Sequence, residues 1–265
     1  MSVLAPARRH PAPVGVRPRR TPDDGVADLV GATVWLLAES AVPRLAADLP
    51  PAEVLTTGEL DRIGRLATSG ARRRCLGARL MSRLLLARYA GTRPAALSFT
   101  TGRYGRPELS PNPWGLRFNL SHTEGLIACL VTRGAPCGVD VQGPLRPEAL
   151  PYFRRALTDR ELARLDAVEP GRRAAAVVDV WATKEAYTKA LGAGLQYGFH
   201  RIEVHGVPDG PVAVHDPRLP VTRNRRWQFH LGHLNTGHTL AVAVRRPAPA
   251  PYPLSVRQLP EGVVR

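Results

Sequence analysis

Two apolar runs constrain this chain more than any other feature. Ile127-Ala-Cys-Leu-Val131 and Leu240-Ala-Val-Ala-Val244 lie 113 positions apart, 127 to 240. Each is nearly continuous in apolar residues, the pattern of a strand covered on both faces. The same offset carries a helix around Arg73 onto a helix around Ala186. Read as a repeat, the pattern gives two lobes of similar build, each a long helix on a small antiparallel sheet. The crease between them is then the natural place for a site. Read as the likeness any two buried strands share, it gives no repeat.

The rest of the chain fits around these runs. Residues 1–27 are rich in Pro and Arg and lack a hydrophobic period, so they read as a basic arm. An N-terminal lobe is expected over 28–136 and a C-terminal lobe over 137–246. Residues 247–265 carry further prolines and read as an extended tail outside the folded part. Val34–Leu37 reads as a first strand. Residues 59–90 read as helix, with Leu76, Leu80 and Leu84 at i, i+4, i+8, stopped by Gly91 and Pro94. Leu116–Phe118 and Leu126–Thr132 read as strands. Thr158-Asp-Arg-Glu161 is a capping box, and a longer helix is expected from Arg172 to Leu191, ended by Gly192. Short strands separated by Gly, Pro and Asp turns fill 200–246.

No run of about 18 apolar residues is present, so no membrane-spanning helix is expected. The N-terminus has no apolar stretch of the secretory kind. Three cysteines without a CxxC argue against a disulfide framework and fit a reducing, cytoplasmic setting. The formal net charge is +15, and all but two of the 37 basic residues are arginine. Such a surface attracts something anionic: nucleic acid, a phosphorylated cofactor or an acidic protein. The two lysines, Lys184 and Lys189, sit together in Trp181-Ala-Thr-Lys-Glu-Ala-Tyr-Thr-Lys189. A compact ammonium differs from a guanidinium, and their pairing marks the segment.

Five elements carry chemistry. Trp181, Glu185 and Lys189 share one helical face. Asp140 follows a strand end, a common place for a ligand to a hard cation. Phe118-Asn-Leu-Ser-His122, between two strands, offers hydroxyl, imidazole and backbone N–H groups to a phosphate, with a protonated His122 adding charge. Tyr104-Gly-Arg-Pro107 is a turn with a basic residue, and Arg72-Arg-Arg74 lies on the first long helix. Each also has an ordinary reading. Glu185 and Lys189 make a surface pair worth about 0.3–0.5 kcal/mol; Asp140 caps a turn; His122 is solvated. His230, His233 and His238 do not make a zinc site, since strand positions three apart point to opposite faces.

The order of these elements is more specific than any one of them. Gly105-Arg-Pro107, Phe118-Asn-Leu-Ser-His122, Gly138-Val-Asp140 and Trp181-Ala-Thr-Lys-Glu-Ala-Tyr-Thr-Lys189 resemble, in sequence order, the motifs of the Sfp-type 4′-phosphopantetheinyl transferases. Those motifs are G-K-P, F-N-x-S-H, (V/I)-G-(V/I)-D-x-E and (F/W)-x-x-K-E-(A/S)-x-x-K. The resemblance implies an α+β fold of two pseudo-twofold-related lobes with coenzyme A bound between them, in a monomer. It implies transfer of the phosphopantetheine arm of CoA to a serine of an apo acyl, peptidyl or polyketide carrier protein, releasing adenosine 3′,5′-bisphosphate. Asp140 and Glu185 match Mg²⁺ ligands (Mn²⁺ being a substitute), and Glu185 matches the general base. Lys189 matches a pyrophosphate contact whose pairing with Glu185 would orient both. Ser121 and His122 match the part that holds the CoA 3′-phosphate, Arg73 matches a further phosphate contact, and Gly105-Arg106 matches G-K near the nucleotide.

Several positions depart from the pattern. Gln142 stands where many members have a glutamate completing the metal site; its amide oxygen can ligate but brings no charge. Arg106 replaces the lysine of G-K-P, and its planar fork cannot repeat that lysine's contacts. Cys137 and Ala182 read as packing changes. Arg62 and Arg65 are further candidates for phosphate. Gln142 also motivates an alternative, a member of the family that binds CoA without transferring. A basic nucleic-acid-binding protein is the other alternative, but the folded region lacks a recognition motif for nucleic acid. Acidic carrier proteins would be steered by the basic excess.

Overall fold

The computed structural model describes residues 29–260 apart from 103, 146 and 249. The expected basic arm, 1–27, lies outside the described residues. The first half of the chain contains β1 (Ala32–Ala38), α1 (Val42–Asp48), α2 (Pro51–Val54), α3 (Thr57–Gly64), α4 (Ser69–Ala90), β2 (Phe99–Thr101), β3 (Pro107–Leu109), β4 (Leu116–Thr123) and β5 (Leu126–Arg133). The second half contains β6 (Cys137–Gln142), α5 (Leu150–Arg154), α6 (Asp159–Asp166), α7 (Pro170–Leu191), β7 (Glu203–His205), β8 (Ala213–His215), α8 (Val221–Asn224), β9 (Trp227–His233), β10 (Thr239–Arg245) and β11 (Leu254–Gln258).

One connectivity occurs twice in this α+β fold. A strand leads into a 22-residue helix and then a hairpin, whose second strand pairs antiparallel with the first strand. In the first half β1 pairs with β5, with Val34 opposite Leu130. In the second half β6 pairs with β10, with Val139 opposite Val242. The two apolar runs are β5 and β10, the central strands of their sheets.

The runs are apolar because each of these strands has a layer on both sides. In β5, Ile127, Cys129 and Val131 pack toward α4 with Trp35, Leu80 and Met81. The alternate residues Ala128 and Leu130 meet Val139, Val141, Val242 and Val244 of the other sheet. Ala241 and Ala243 of β10 face α7 and meet Val177, Val180 and Tyr187. The layers therefore run helix, sheet, sheet, helix, and the period-2 alternation of each strand divides its side chains between two cores.

Several elements differ from the sequence reading. The expected helix over 59–90 is two helices. A Thr56–Glu59 capping box opens α3, and the Thr68 hydroxyl accepts the Ala71 N–H to start α4 afresh. The second long helix begins at Pro170, two residues early, because proline suits the first helical turn. The stretch after Phe118 is not a loop: β4 continues to Thr123. Asn119 and Ser121 point not to solvent but at β6, where Asn119 Oδ1 accepts the Val139 N–H and Ser121 Oγ accepts the Val141 N–H. Side chains thus lace β4 to β6 where a backbone ladder is missing. The chain past Pro247 is not a tail either. Leu254–Gln258 pairs parallel with β1 at the sheet edge, and Leu259 is buried.

Gly138 brings the second helix onto its sheet. A Cβ there would lie 2.0 Å from the Ala186 carbonyl oxygen, so only glycine lets α7 press this closely on β6. That approach sets the site.

Candidate active site

A cleft of about 550 Å³ opens between the two halves. The helical face expected on α7 lines it with Trp181, Glu185 and Lys189. β6 contributes Asp140 and Gln142, and β4 contributes Ser121 and His122. These seven residues, all singled out in the sequence, therefore meet in one place.

Their connections differ from the expected ones. The Lys189 ammonium pairs with Asp140, 2.6 Å to Oδ1, and not with Glu185. It also donates to Ser121 Oγ at 3.1 Å and to the Val139 carbonyl at 3.3 Å. The close packing of α7 on β6 puts Asp140 nearer the ammonium than its own helical neighbour. Ser121 gives its one hydroxyl proton to Asp140 Oδ1 at 2.8 Å, so that proton does not reach out for a phosphate. Gln142 donates its amide N–H to Asp140 Oδ2 at 2.8 Å. Asp140, nearly fully buried, thus accepts from three side chains.

Glu185 has no such company. Among the described residues no hydrogen bond or ion pair reaches its carboxylate. Loss of water at the cleft wall pushes its pKa up to about 7; the nearby Asp140 adds to that, and Lys189 opposes it. Aromatic rings form this wall: Trp181 lies 4.7 Å from Phe153 and 5.4 Å from Tyr152, centroid to centroid. His122 was expected to carry charge. Its outer edge is exposed, yet the loss of water on its inner side, followed by the cations of Arg74 and Lys189, holds its pKa below the ordinary histidine value.

Other expected site residues lie outside the cleft lining. Arg73 is half exposed, with Nε 3.4 Å from Glu39 Oε1. Glu39 also pairs with Arg74 and accepts the Gly125 N–H, which ties α4 to the turn after His122. Gly105 sits in a left-handed turn, φ +81, and lines an adjoining cavity of about 530 Å³ together with Arg62. Arg65 lines neither. Arg106 is outside the cleft lining as well: its guanidinium is held by three backbone carbonyls. Of the two lysines only Lys189 is in the cleft. Lys184 is fully buried and gives its three protons to Glu161, Ala156 O and Phe199 O, at 2.5, 3.0 and 3.0 Å. Five positions on a helix are about 140° apart, so the pair could not share a face.

Sequence reasoning missed Arg79, which lines both cavities, and Cys75, Tyr152 and Phe153. Cys75 and Arg79 are at i and i+4 on α4, a spacing that would have placed both toward one neighbour. Nothing local marks Tyr152 and Phe153. The late histidines take separate partners: His233 meets Asp179 at 3.0 Å, His238 the Glu124 carbonyl at 2.9 Å and His230 the Gln228 amide at 2.7 Å.

Two carboxylates with Lys189 and Arg79 in one cleft suit an anionic, phosphorylated ligand. The family model of the 4′-phosphopantetheinyl transferase superfamily matches residues 136–244. A putative 4′-phosphopantetheinyl transferase of Synechocystis is 34% identical over 167 residues, covering 60% of this chain and 64% of that protein. The 4′-phosphopantetheinyl transferase HetI of Nostoc is 32% identical over 167 residues, covering 62% and 70%. That of Bacillus subtilis is 27% identical over 175 residues, covering 62% and 77%. A holo-(acyl-carrier-protein) synthase from Bacillus anthracis, solved with CoA, superposes on 41% of this chain and 93% of its own with a TM-score of 0.35 and 24% identity. The chain belongs to the 4′-phosphopantetheinyl transferase superfamily. It spans slightly less than two thirds of the Synechocystis relative.

Proposed function

We propose that this protein transfers the 4′-phosphopantetheine group of coenzyme A to a serine of an apo carrier protein. The observation that carries this is the arrangement of Asp140, Glu185 and Lys189 in the cleft between the halves. The carrier serine oxygen forms a bond to the β-phosphorus of the CoA pyrophosphate. The bond from that phosphorus to the bridging oxygen breaks, and adenosine 3′,5′-bisphosphate leaves. Glu185 takes the serine proton; a pKa of about 7 suits a base working at neutral pH. Lys189 balances charge on the pyrophosphate, and Asp140 and Ser121 hold its ammonium in place. Arg62, Arg79 and Gly105 line the adjoining cavity, which has room for the nucleotide.

The donor set fits Mg²⁺. Asp140 and Glu185 offer hard carboxylate oxygens to one cleft, with Gln142 beside them. Glu185 in particular is a poorly solvated carboxylate that no ion pair reaches among the described residues. Among the described residues no group of three His, Cys, Asp or Glu side chains is placed to hold a metal. Mg²⁺ commonly binds through one or two carboxylates and completes its shell with water and phosphate oxygens. Asp140, Glu185 and the Gln142 amide oxygen would hold it, and it would supply charge neutralisation for the leaving phosphate. The net charge of +15 favours encounter with acidic carriers. The doubled connectivity supports a pseudo-twofold relation of the lobes, within a cytoplasmic monomer. No helix among the described residues is long and apolar enough to cross a membrane.

Intact-protein mass spectrometry of an apo carrier protein incubated with CoA, Mg²⁺ and this protein tests the reading. Gain of one phosphopantetheine group, lost with EDTA, is the expected result. CoA binding without gain on several unrelated carriers would instead favour a non-transferring member, in line with Gln142 engaging Asp140 through its N–H.

A further inference from the structure

The guanidinium of Arg106 sits at the junction of three elements. Nη1 donates to the Lys189 carbonyl at 2.7 Å, and Nη2 donates to the Phe118 carbonyl at 2.7 Å and the Cys137 carbonyl at 3.3 Å. Lys189 is in the last turn of α7, Phe118 is on β4 and Cys137 is on β6. Phe118 lies three residues before Ser121, and Cys137 three before Asp140. Each strand therefore carries one group of the Ser121–Asp140–Lys189 cluster about 10 Å along the strand from the residue that the guanidinium holds, at roughly 3.3 Å per residue. Among the described residues no carboxylate pairs with Arg106. Its charge meets carbonyl dipoles, including one at the negative end of α7.

We infer that Arg106 is a positioning residue for the proposed transfer: it fixes the backbone of Lys189 against β4 and β6, so that the ammonium meets Asp140 and Ser121. The role given to Lys189 rests on the proposed function. The fixation itself rests on the three hydrogen bonds alone. Lys189 is held at both ends, its carbonyl by Arg106 and its ammonium by Asp140. A planar fork suits this junction, because its two Nη groups reach carbonyls on different elements in fixed directions, which a single ammonium does not reproduce. This sets Arg106 apart from a nucleotide contact, since both Nη groups are already engaged within the protein.

The two-lysine composition makes the test direct. Labelling lysine with ¹³C at Cε yields one signal from Lys189 and one from Lys184, the latter an internal control buried elsewhere. In Arg106→Ala, and in Arg106→Gln if the first does not fold, the Lys189 signal is expected to move toward that of free lysine while the Lys184 signal stays. With CoA and an apo carrier protein, kcat is expected to fall about 10- to 100-fold, the scale of a small misplacement near the chemistry. KM for CoA should change less than about threefold, and Arg106→Lys should recover part of kcat. An unmoved Lys189 signal in a folded variant overturns the inference. So does a rise in KM for CoA with kcat retained, which would mean that Arg106 touches the nucleotide. Collapse of both lysine signals in both variants overturns it in favour of a general folding role. Absence of transfer by the unsubstituted protein would count against the proposed function, and the lysine signals would still decide the positioning.

Discussion

Lys189 gives its ammonium to Asp140, 49 positions away and 2.6 Å distant, across the contact between α7 and β6. The consequence falls on Glu185, one turn back on the same helical face. It keeps a carboxylate in a poorly hydrated cleft with no bonded partner among the described residues, and its pKa rises to about 7. An acid whose folded pKa exceeds its unfolded value binds more protons when folded. Stability then falls as pH rises from about 4.5 to about 7 and is flat above. Glu185→Gln removes that penalty. The variant should melt with the unsubstituted protein near pH 4 and above it at pH 8, while transfer is lost at both. Thermal melts across this range read the gap. An equal melting temperature at pH 8 would mean that the carboxylate is not destabilised.

His122 should make CoA binding depend on pH. Its pKa is held low by loss of water and by Arg74 and Lys189. A bound phosphate would oppose those cations and raise it, so binding takes up a proton, and linkage then requires affinity to increase as pH falls. Calorimetric titration of CoA between pH 5 and 8 should show a steeper rise in affinity toward low pH for the unsubstituted protein than for His122→Asn. The variant removes the imidazole but not the titration of the phosphate itself. Parallel slopes would place His122 away from the phosphate.

Much of this site was legible because helical period and strand period are local. Trp181, Glu185 and Lys189 recur at four-residue steps, and all three face the cleft. Thr158 and Glu161 form the capping box their spacing implied. What the sequence did not show depends on approach between distant elements. Nothing near Lys189 says that Gly138 lets β6 come within reach, so its helical neighbour Glu185 looked like the partner. Asn119 and Ser121 are polar and read as loop, yet their side chains replace a missing ladder to β6. Prolines disguised β11, whose pairing partner lies more than 200 positions upstream.

The Lys184–Glu161 pair should dominate local stability in the second half. Both side chains are almost entirely buried. Glu161 also accepts the Val204 and Thr158 backbone N–H groups at 2.7 Å each. Removing one partner leaves an uncompensated buried charge, a loss of about 3–5 kcal/mol. Lys184→Met should therefore lower the free energy of urea unfolding by that much, and adding Glu161→Gln should recover part of the loss. A change under about 1 kcal/mol in Lys184→Met would show that the pair is hydrated in solution.

Deleting residues 247–265 should destabilise the whole protein, because β11 joins its two sheets. Its strand pairs with β1 from Leu254 to Gln258, opposite Ala32 to Leu36, and Leu259 N–H donates to the Leu36 carbonyl at 2.8 Å. Just before the strand, Tyr252 exchanges two hydrogen bonds with Gln228 of β9, at 2.8 and 2.9 Å. Losing roughly five net backbone bonds at about 1 kcal/mol each predicts a drop on the order of 3–5 kcal/mol in urea unfolding. The edge of β1 would then be open, and exposed edges pair with other chains, so the truncated protein should also form soluble aggregates at high concentration. Light scattering reads the second effect. An unchanged urea midpoint with no aggregation would mean that the segment lies on the sheet without supporting it.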